Sequence, residues 1–357
     1  MLQKMPLFIY FLITCMLTLI GHSKSLNVDG VALLTFKKKL KTDPLNSLGD
    51  WNISDDTPCS WSGVLCANVP PYNGPRVVGL SVIGKKISGP IAPALGALDT
   101  LRRLSLQDNN LTGTLPTQLF NATSLRTILL GNNNITGHLP HEIKNLESLQ
   151  TLDISNNRLW GAIPHTITNC KRLQTLTLAH NQLWGSIPIG FGTNFTYLEQ
   201  LDLSSNHLSG TIPSDLGQLP SLQGTLNLSY NHLSGSIPSG LGKLPYIVSL
   251  DLSHNNLSGE IPQDGTLGDQ GASPFLGNLC GFPLDVICHG SSAPAPLPSL
   301  PAEGSTTMVR KPKSGVAHQA KNKASLSPGA IVGIVFGDAL ALSMIVVLLM
   351  YWYYVKA

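Results

Sequence analysis

Charge is what this sequence has least of. Only 12% of its 357 residues are Asp, Glu, Lys or Arg, about half the share usual in a soluble globular chain. That excludes an acidic or polybasic disordered protein. A formal net charge of +3, from 23 basic and 20 acidic residues, is too small and too dispersed for a nucleic-acid footprint, so no nucleic-acid partner is expected. Aromatics are scarce as well, at 6%. The six cysteines fall as two close pairs and two singles, with no Cys/His set at metal-ligand spacing, so neither metal nor cofactor is expected. Leucine fills the gap. There are 59, a bias that points to a repetitive array, which grows by adding units and not by enlarging one core.

Both ends carry membrane signals. Residues 1–25 hold one early Lys4, an apolar run from Pro6 to Ile20 and a small polar stretch through Ser25, the layout of a cleaved secretory signal peptide with the mature chain starting near Leu26. Residues 330–354 are apolar apart from Asp338 and finish in Tyr351, Trp352, Tyr353 and Tyr354, as a single transmembrane helix does on reaching an interface. Gly329, Gly333 and Gly337 fall four apart, a smooth stripe on which a second helix could lie closely. Basic residues gather before this helix, with only Lys356 after it, which by positive-inside counting opposes the signal peptide. The signal is taken to fix the orientation: plasma membrane, single-pass, N-terminus extracellular. Residues 355–357 are then a cytoplasmic stub.

The middle is a repeat. Units of Leu-x-x-Leu-x-Leu start at Val77, Leu101, Leu125, Leu149, Leu173, Leu198, Leu222 and Ile247, 24 or 25 residues apart, which places eight repeats in residues 77–270. Leu-x-Leu alternates in and out, so each unit contributes a short strand. Stacked about 4.8 Å apart, these strands make one parallel sheet lining a concave face. Seven units carry an Asn just after the strand, at Asn109, Asn133, Asn157, Asn181, Asn206, Asn231 and Asn255, and Lys85 stands in the first. Such an amide both donates to and accepts from backbone groups of neighbouring coils, a structural ladder. Gly-x-Ile-Pro then gives a bend and an extended stretch on the far side.

Solenoid ends expose core and need lids. Residues 26–76 form the N-terminal cap and residues 271–288 the C-terminal one. Each holds a close Cys pair, Cys59 with Cys66 and Cys280 with Cys288, read as disulfides of an oxidising compartment. Cys170 is left as a buried free thiol. Asn52, Asn110, Asn121, Asn134, Asn194, Asn227 and Asn256 each head a glycosylation sequon, with Asn227 facing from mid-strand onto the concave side. Residues 289–329, rich in Pro, Ser and Lys, form an extended stalk.

The Asp29–Lys37 opening, Trp51, the Cys59-x6-Cys66 pair, repeats ending in Ile-Pro, the extra residue in Leu222-Gln-Gly-Thr-Leu226, and the Phe275–Gly281 closing segment together resemble a plant leucine-rich-repeat receptor-like kinase of the short-ectodomain, zygotic-arrest-like subfamily. The resemblance implies an α/β repeat solenoid: a plant-type leucine-rich-repeat superhelix with a parallel sheet on the concave face, disulfide-capped ends and one transmembrane helix. It implies a cell-surface receptor-like protein that binds a peptide or protein ligand or a co-receptor kinase ectodomain. Such receptors carry a cytoplasmic kinase or pseudokinase, yet the sequence contains no Gly-rich phosphate loop, His-Arg-Asp or Asp-Phe-Gly, so no kinase, and no enzyme, is assigned to this chain. The alternative is a cell-wall-associated inhibitor or scaffold resembling polygalacturonase-inhibiting proteins. The expected contact surface is the concave column Ser105, Asp153, Thr177, Asp202 and Asp251, flanked by Ser155, His180, Tyr230 and His254. Asp153, Asp202 and Asp251 occupy equivalent positions on an open surface, so a catalytic carboxylate pair is not expected among them.

Overall fold

The fold begins with a lid. Asn27 caps helix α1 (Val28–Lys39) by accepting from the Gly30 N–H at 2.9 Å, and the helix turns Ala32, Leu33 and Phe36 into the core. Phe36 meets Trp51, which stacks on Trp61 with centroids 5.3 Å apart. Both indole N–H groups are satisfied, by Ser62 O and Asp55 Oδ2. The Cys59–Cys66 disulfide closes the loop beside them. Asp29 is fully buried, an expense met by three donors: Arg76 Nε and Nη2 at 2.9 and 2.8 Å and the Val77 N–H at 2.9 Å. Arg76 itself lies over the Tyr72 ring and pairs with Asp99, so the cap and the first coil share one polar clasp. Its guanidinium pKa is pushed further up, first by the hydrogen bonds to Asp29.

The computed structural model describes residues 26–278, Ile247 excepted. The signal peptide, the Cys280–Cys288 pair, the stalk, the transmembrane segment with Gly329, Gly333 and Gly337, and the stub lie outside the described residues. No helix among the described residues is long and apolar enough to cross a membrane.

From the cap onward the coils repeat. An antiparallel pair, Val64–Asn68 with Pro75–Ser81, opens a nine-stranded sheet. Parallel strands then follow, among them Arg103–Ser105, Thr127–Leu129, Thr151–Asp153, Thr175–Thr177, Gln200–Asp202, Thr225–Asn227 and Ser249–Asp251. Leucines make the core: Leu101, Leu104, Leu106 and Leu111 are fully buried, and their described equivalents in the later coils are buried too, each contributing about 1.5–3 kcal/mol. A second sheet of eight strands, from Ser88–Pro90 to Asn256–Leu257, forms from the residues just after each ladder Asn. The sequence pattern predicts no strand there, only an extended stretch at the Gly-x-Ile-Pro that follows. After Ile-Pro or Leu-Pro, most coils return through a single 3-10 turn such as His141–Asn145 or Ser214–Gln218.

The asparagine ladder is built as the spacing implied. Asn157 Nδ2 donates to Leu130 O of the preceding coil and to Ile154 O and Ser155 O of its own, at 3.0–3.2 Å, while its Oδ1 accepts from the Ile135 N–H. The same pattern recurs at Asn181, Asn206 and Asn231. Asn278 adds a rung that sequence reading did not count: its Oδ1 takes the N–H groups of Asn255 and Leu257, and its Nδ2 reaches Leu252 O.

Asn157→Ala strands buried backbone groups in two coils at once, and the expected cost is about 2–4 kcal/mol, against a smaller loss for Asn278→Ala at the array's edge. Chemical denaturation of the two variants checks the order. Cys170 is buried, donates its thiol to Ile143 O, and has its pKa pushed up to about 12 by burial and then by Glu147. A disulfide reagent at pH 8 should therefore leave it unmodified in the folded chain and label it in denaturant, since only the thiolate attacks.

Candidate functional site

The nine-stranded sheet brings most of the expected residues into one file. Register pairs Ser81 with Ser105, then Leu129, Asp153, Thr177, Asp202, Asn227 and Asp251 in unbroken succession. Strand spacing of about 4.8 Å makes this a column roughly 30 Å long. Leu129 and Asn227 belong to it as much as the acids do; the sequence points to the second as a concave-face sequon and gives no signal for the first. Asp153, Thr177, Asp202 and Asp251 are half-buried.

Ser105 is a correction. It is fully buried, and its Oγ takes the Arg103 Nε–H at 3.1 Å, so a ligand at this coil meets the arginine and not the hydroxyl. The long Arg103 side chain, two residues away on the same face, covers the short one.

Each acid is partly committed to its own backbone. Asp153 Oδ1 accepts from the N–H and hydroxyl of Ser155, Asp202 Oδ1 from the Ser204 N–H, and Asp251 Oδ1 from the Ser253 N–H. Asn227 does the same with Ser229. These are turns in which a short side chain caps the amide two residues on, ending each strand. Their Oδ1 atoms are structural; the Oδ2 atoms of Asp153, Asp202 and Asp251 accept no hydrogen bond among the described residues. Thr177 and Asn227 separate the acids, so no two carboxylates sit on adjacent strands. Gln107 Oε1 is a buried acceptor with no donor among the described residues. Nothing in the repeat pattern marked it.

The flanking residues share a conformation. Asp108, Asn132, Asn156, His180, Ser205, Tyr230 and His254 each precede a ladder Asn, and each has φ between 52° and 61°. They form a ledge along the sheet. Asn132 Nδ2 donates to Asp108 Oδ1, and Tyr230 stacks on His254 with centroids 4.3 Å apart. His180, Tyr230 and His254 are all exposed. Asn and Asp accept left-handed φ cheaply, whereas a tyrosine there is strained.

Sequon side chains differ. Asn52, Asn110, Asn121 and Asn256 are exposed, and Asn134, Asn194 and Asn227 are half-buried. The Asn194 Nδ2, the atom a glycan would take, donates to Gly190 O at 2.8 Å.

A capped stack of coils, with one open sheet of polar columns over a leucine core, defines a leucine-rich-repeat solenoid. Comparison agrees: the pattern described as leucine-rich repeat region matches residues 77–300, and that of the leucine rich repeat N-terminal domain matches residues 26–67. The chain belongs to the leucine-rich-repeat family. It is 45% identical over 89 residues to a receptor protein kinase-like protein of Arabidopsis thaliana, a match spanning 24% of this chain and 12% of that protein. Among solved structures it resembles PEPR1–AtPEP1, with TM-score 0.60 and 34% identity, covering 65% of this chain and 32% of that one. It also resembles the Arabidopsis receptor kinase HAESA in complex with the peptide hormone IDA and the co-receptor SERK1, with TM-score 0.55 and 33% identity, covering 67% of this chain and 43% of that one. The chain thus spans less than half the length of each of these relatives.

At Tyr230 two effects oppose. Asn in its place removes left-handed strain of about 1 kcal/mol, and loses a ring stack worth about 0.5–1.5 kcal/mol. Tyr230→Asn should therefore unfold within a few degrees of the parent, while Tyr230→Val, branched at Cβ, should unfold earlier. Thermal unfolding monitored by circular dichroism checks both.

Proposed function

We propose that the chain is a receptor-like protein of the plant cell surface, single-pass with its N-terminus outside, whose repeat domain binds a peptide or protein ligand or a co-receptor ectodomain. In this reading residues 26–76 cap the array, 77–270 carry the repeats, 271–288 close it, 289–329 hold it off the bilayer and 330–354 anchor it. The observation that carries the reading is the in-register column of half-buried Asp153, Thr177, Asp202, Asn227 and Asp251, bordered by the Tyr230–His254 stack. A rigid strip of hydrogen-bonding groups with spare carboxylate oxygens suits an extended chain, and a stacked aromatic beside it gives that chain an anchor. The complex of HAESA with a peptide hormone and a co-receptor supports the same reading. The role is binding: the column offers separated acids on an open face, not a pocketed catalytic pair.

The test is to display the full chain on plant cells and screen it with a synthetic library of secreted plant peptides. Enriched peptides should bind Tyr230→Asn and Asp202→Ala about tenfold more weakly, the effect of losing one interface anchor, at unchanged surface abundance. Undiminished binding in both variants would move the ligand off this sheet.

A further inference from the structure

The second sheet presents a surface that ligand binding on the first leaves unused. Its strands alternate buried leucine or isoleucine with outward residues, and on two neighbouring strands an outward residue is tryptophan: Trp160 is 44% and Trp184 53% exposed. Leu159 and Leu183 already anchor those strands in the core, so holding the fold does not require the indoles. Trp160 is positioned. His138 of the preceding coil meets it edge-on, with centroids 3.8 Å apart. Room for that imidazole exists because residue 161 is glycine, at φ 95°; a Cβ there would stand 2.3 Å from His138 Nδ1. Register pairs Trp160 with Gln182 and Trp184 with His207. The two tryptophans are therefore diagonal neighbours, about 8 Å apart from a strand spacing of ~4.8 Å and a rise of ~3.3 Å per residue.

What surrounds the indoles selects the ligand. The other outward residues here, Arg158, Gln182 and His207, are exposed hydrogen-bonding groups set beside the two apolar indole faces. Sugar rings match that mixture, with C–H faces for the indoles and hydroxyls for amide, guanidinium and imidazole. Sequons also leave this window open. Asn110 and Asn134 lie on the strands before it and Asn256 on the last strand, and the tryptophan-bearing strands have none.

We propose that this face binds a linear polysaccharide, its rings stacked on Trp160 and Trp184 while Arg158, Gln182 and His207 hydrogen-bond its hydroxyl or carboxylate groups. The site is separate from the sheet assigned to the peptide or protein ligand and stands or falls independently of it. Arg158 favours a uronic-acid chain over a neutral one.

The test titrates the full chain, in detergent micelles, with cellohexaose and with hexagalacturonate by calorimetry. Binding of either, weakened about tenfold in Trp160→Ala and in Trp184→Ala and restored by Phe at the same positions, supports the site. Tighter galacturonate binding that is levelled by Arg158→Ala assigns the acidic chain. No heat with either sugar, or affinity unchanged in both alanine variants, overturns the proposal. So does a Trp-dependent change in sedimentation without sugar binding, which would make this face a protein interface. Thermal unfolding of each variant separates lost binding from lost fold.

Discussion

Every coil must satisfy the backbone of its neighbour, and the asparagine ladder is how it does so. Where the chain leaves the nine-stranded sheet it turns inward over the leucine core, and its amides and carbonyls there have no strand partner. An unpaired buried polar group costs about 1–3 kcal/mol, a debt that two per coil would turn into more than the stability of most domains. One amide, with two donors and an acceptor, bridges the last coil and the present one. Aspartate would lack the donors and serine the reach. Leucine supplies the driving force, but the asparagine sets the pitch, and the pitch places every surface column.

That division explains what was legible in the sequence. Leucine at Leu149, Leu152 and Leu159 and Asn at Asn157 are dictated by core and ladder, so the repeat, the cap and the parallel sheet could all be read. Asn278 escaped because its coil lacks the Leu-x-x-Leu spacing; only its hydrogen bonds to Asn255 and Leu257 identify it as a rung. The second sheet escaped for another reason. Its strands are two to five residues long, and Arg-Leu-Trp-Gly reads equally well as a turn. Ser105 sits in the expected column but is covered, because alternation fixes which face a residue takes and not what its neighbour lays over it, and here Arg103 does so. The left-handed ledge hides too, since Ser205 and Tyr230 are not residues that announce positive φ.

The N-terminal cap solves a different problem with different chemistry. An open coil end would expose leucines, and no preceding coil offers carbonyls to a ladder. Aromatic stacking through Phe36, Trp51 and Trp61 covers the core, and the buried Asp29–Arg76 pair fixes the register of the Pro75–Ser81 strand through the Val77 N–H. A buried ion pair is weak evidence of stability but strong evidence of position: only one placement of α1 satisfies all three donors.

The ladder also constrains how such a protein could respond to a ligand. Coupling between distant sites requires an element with two arrangements that both sites bias. Moving one coil of this array against the next would break its rung, at four hydrogen bonds including a backbone acceptor in each coil, and the strand bonds of both sheets with it. A ligand on the nine-stranded sheet contributes several kcal/mol at most to any such shift. The repeats therefore behave as a rigid ruler: under the proposed binding role, a ligand would change what is held next to what rather than rearrange the coils.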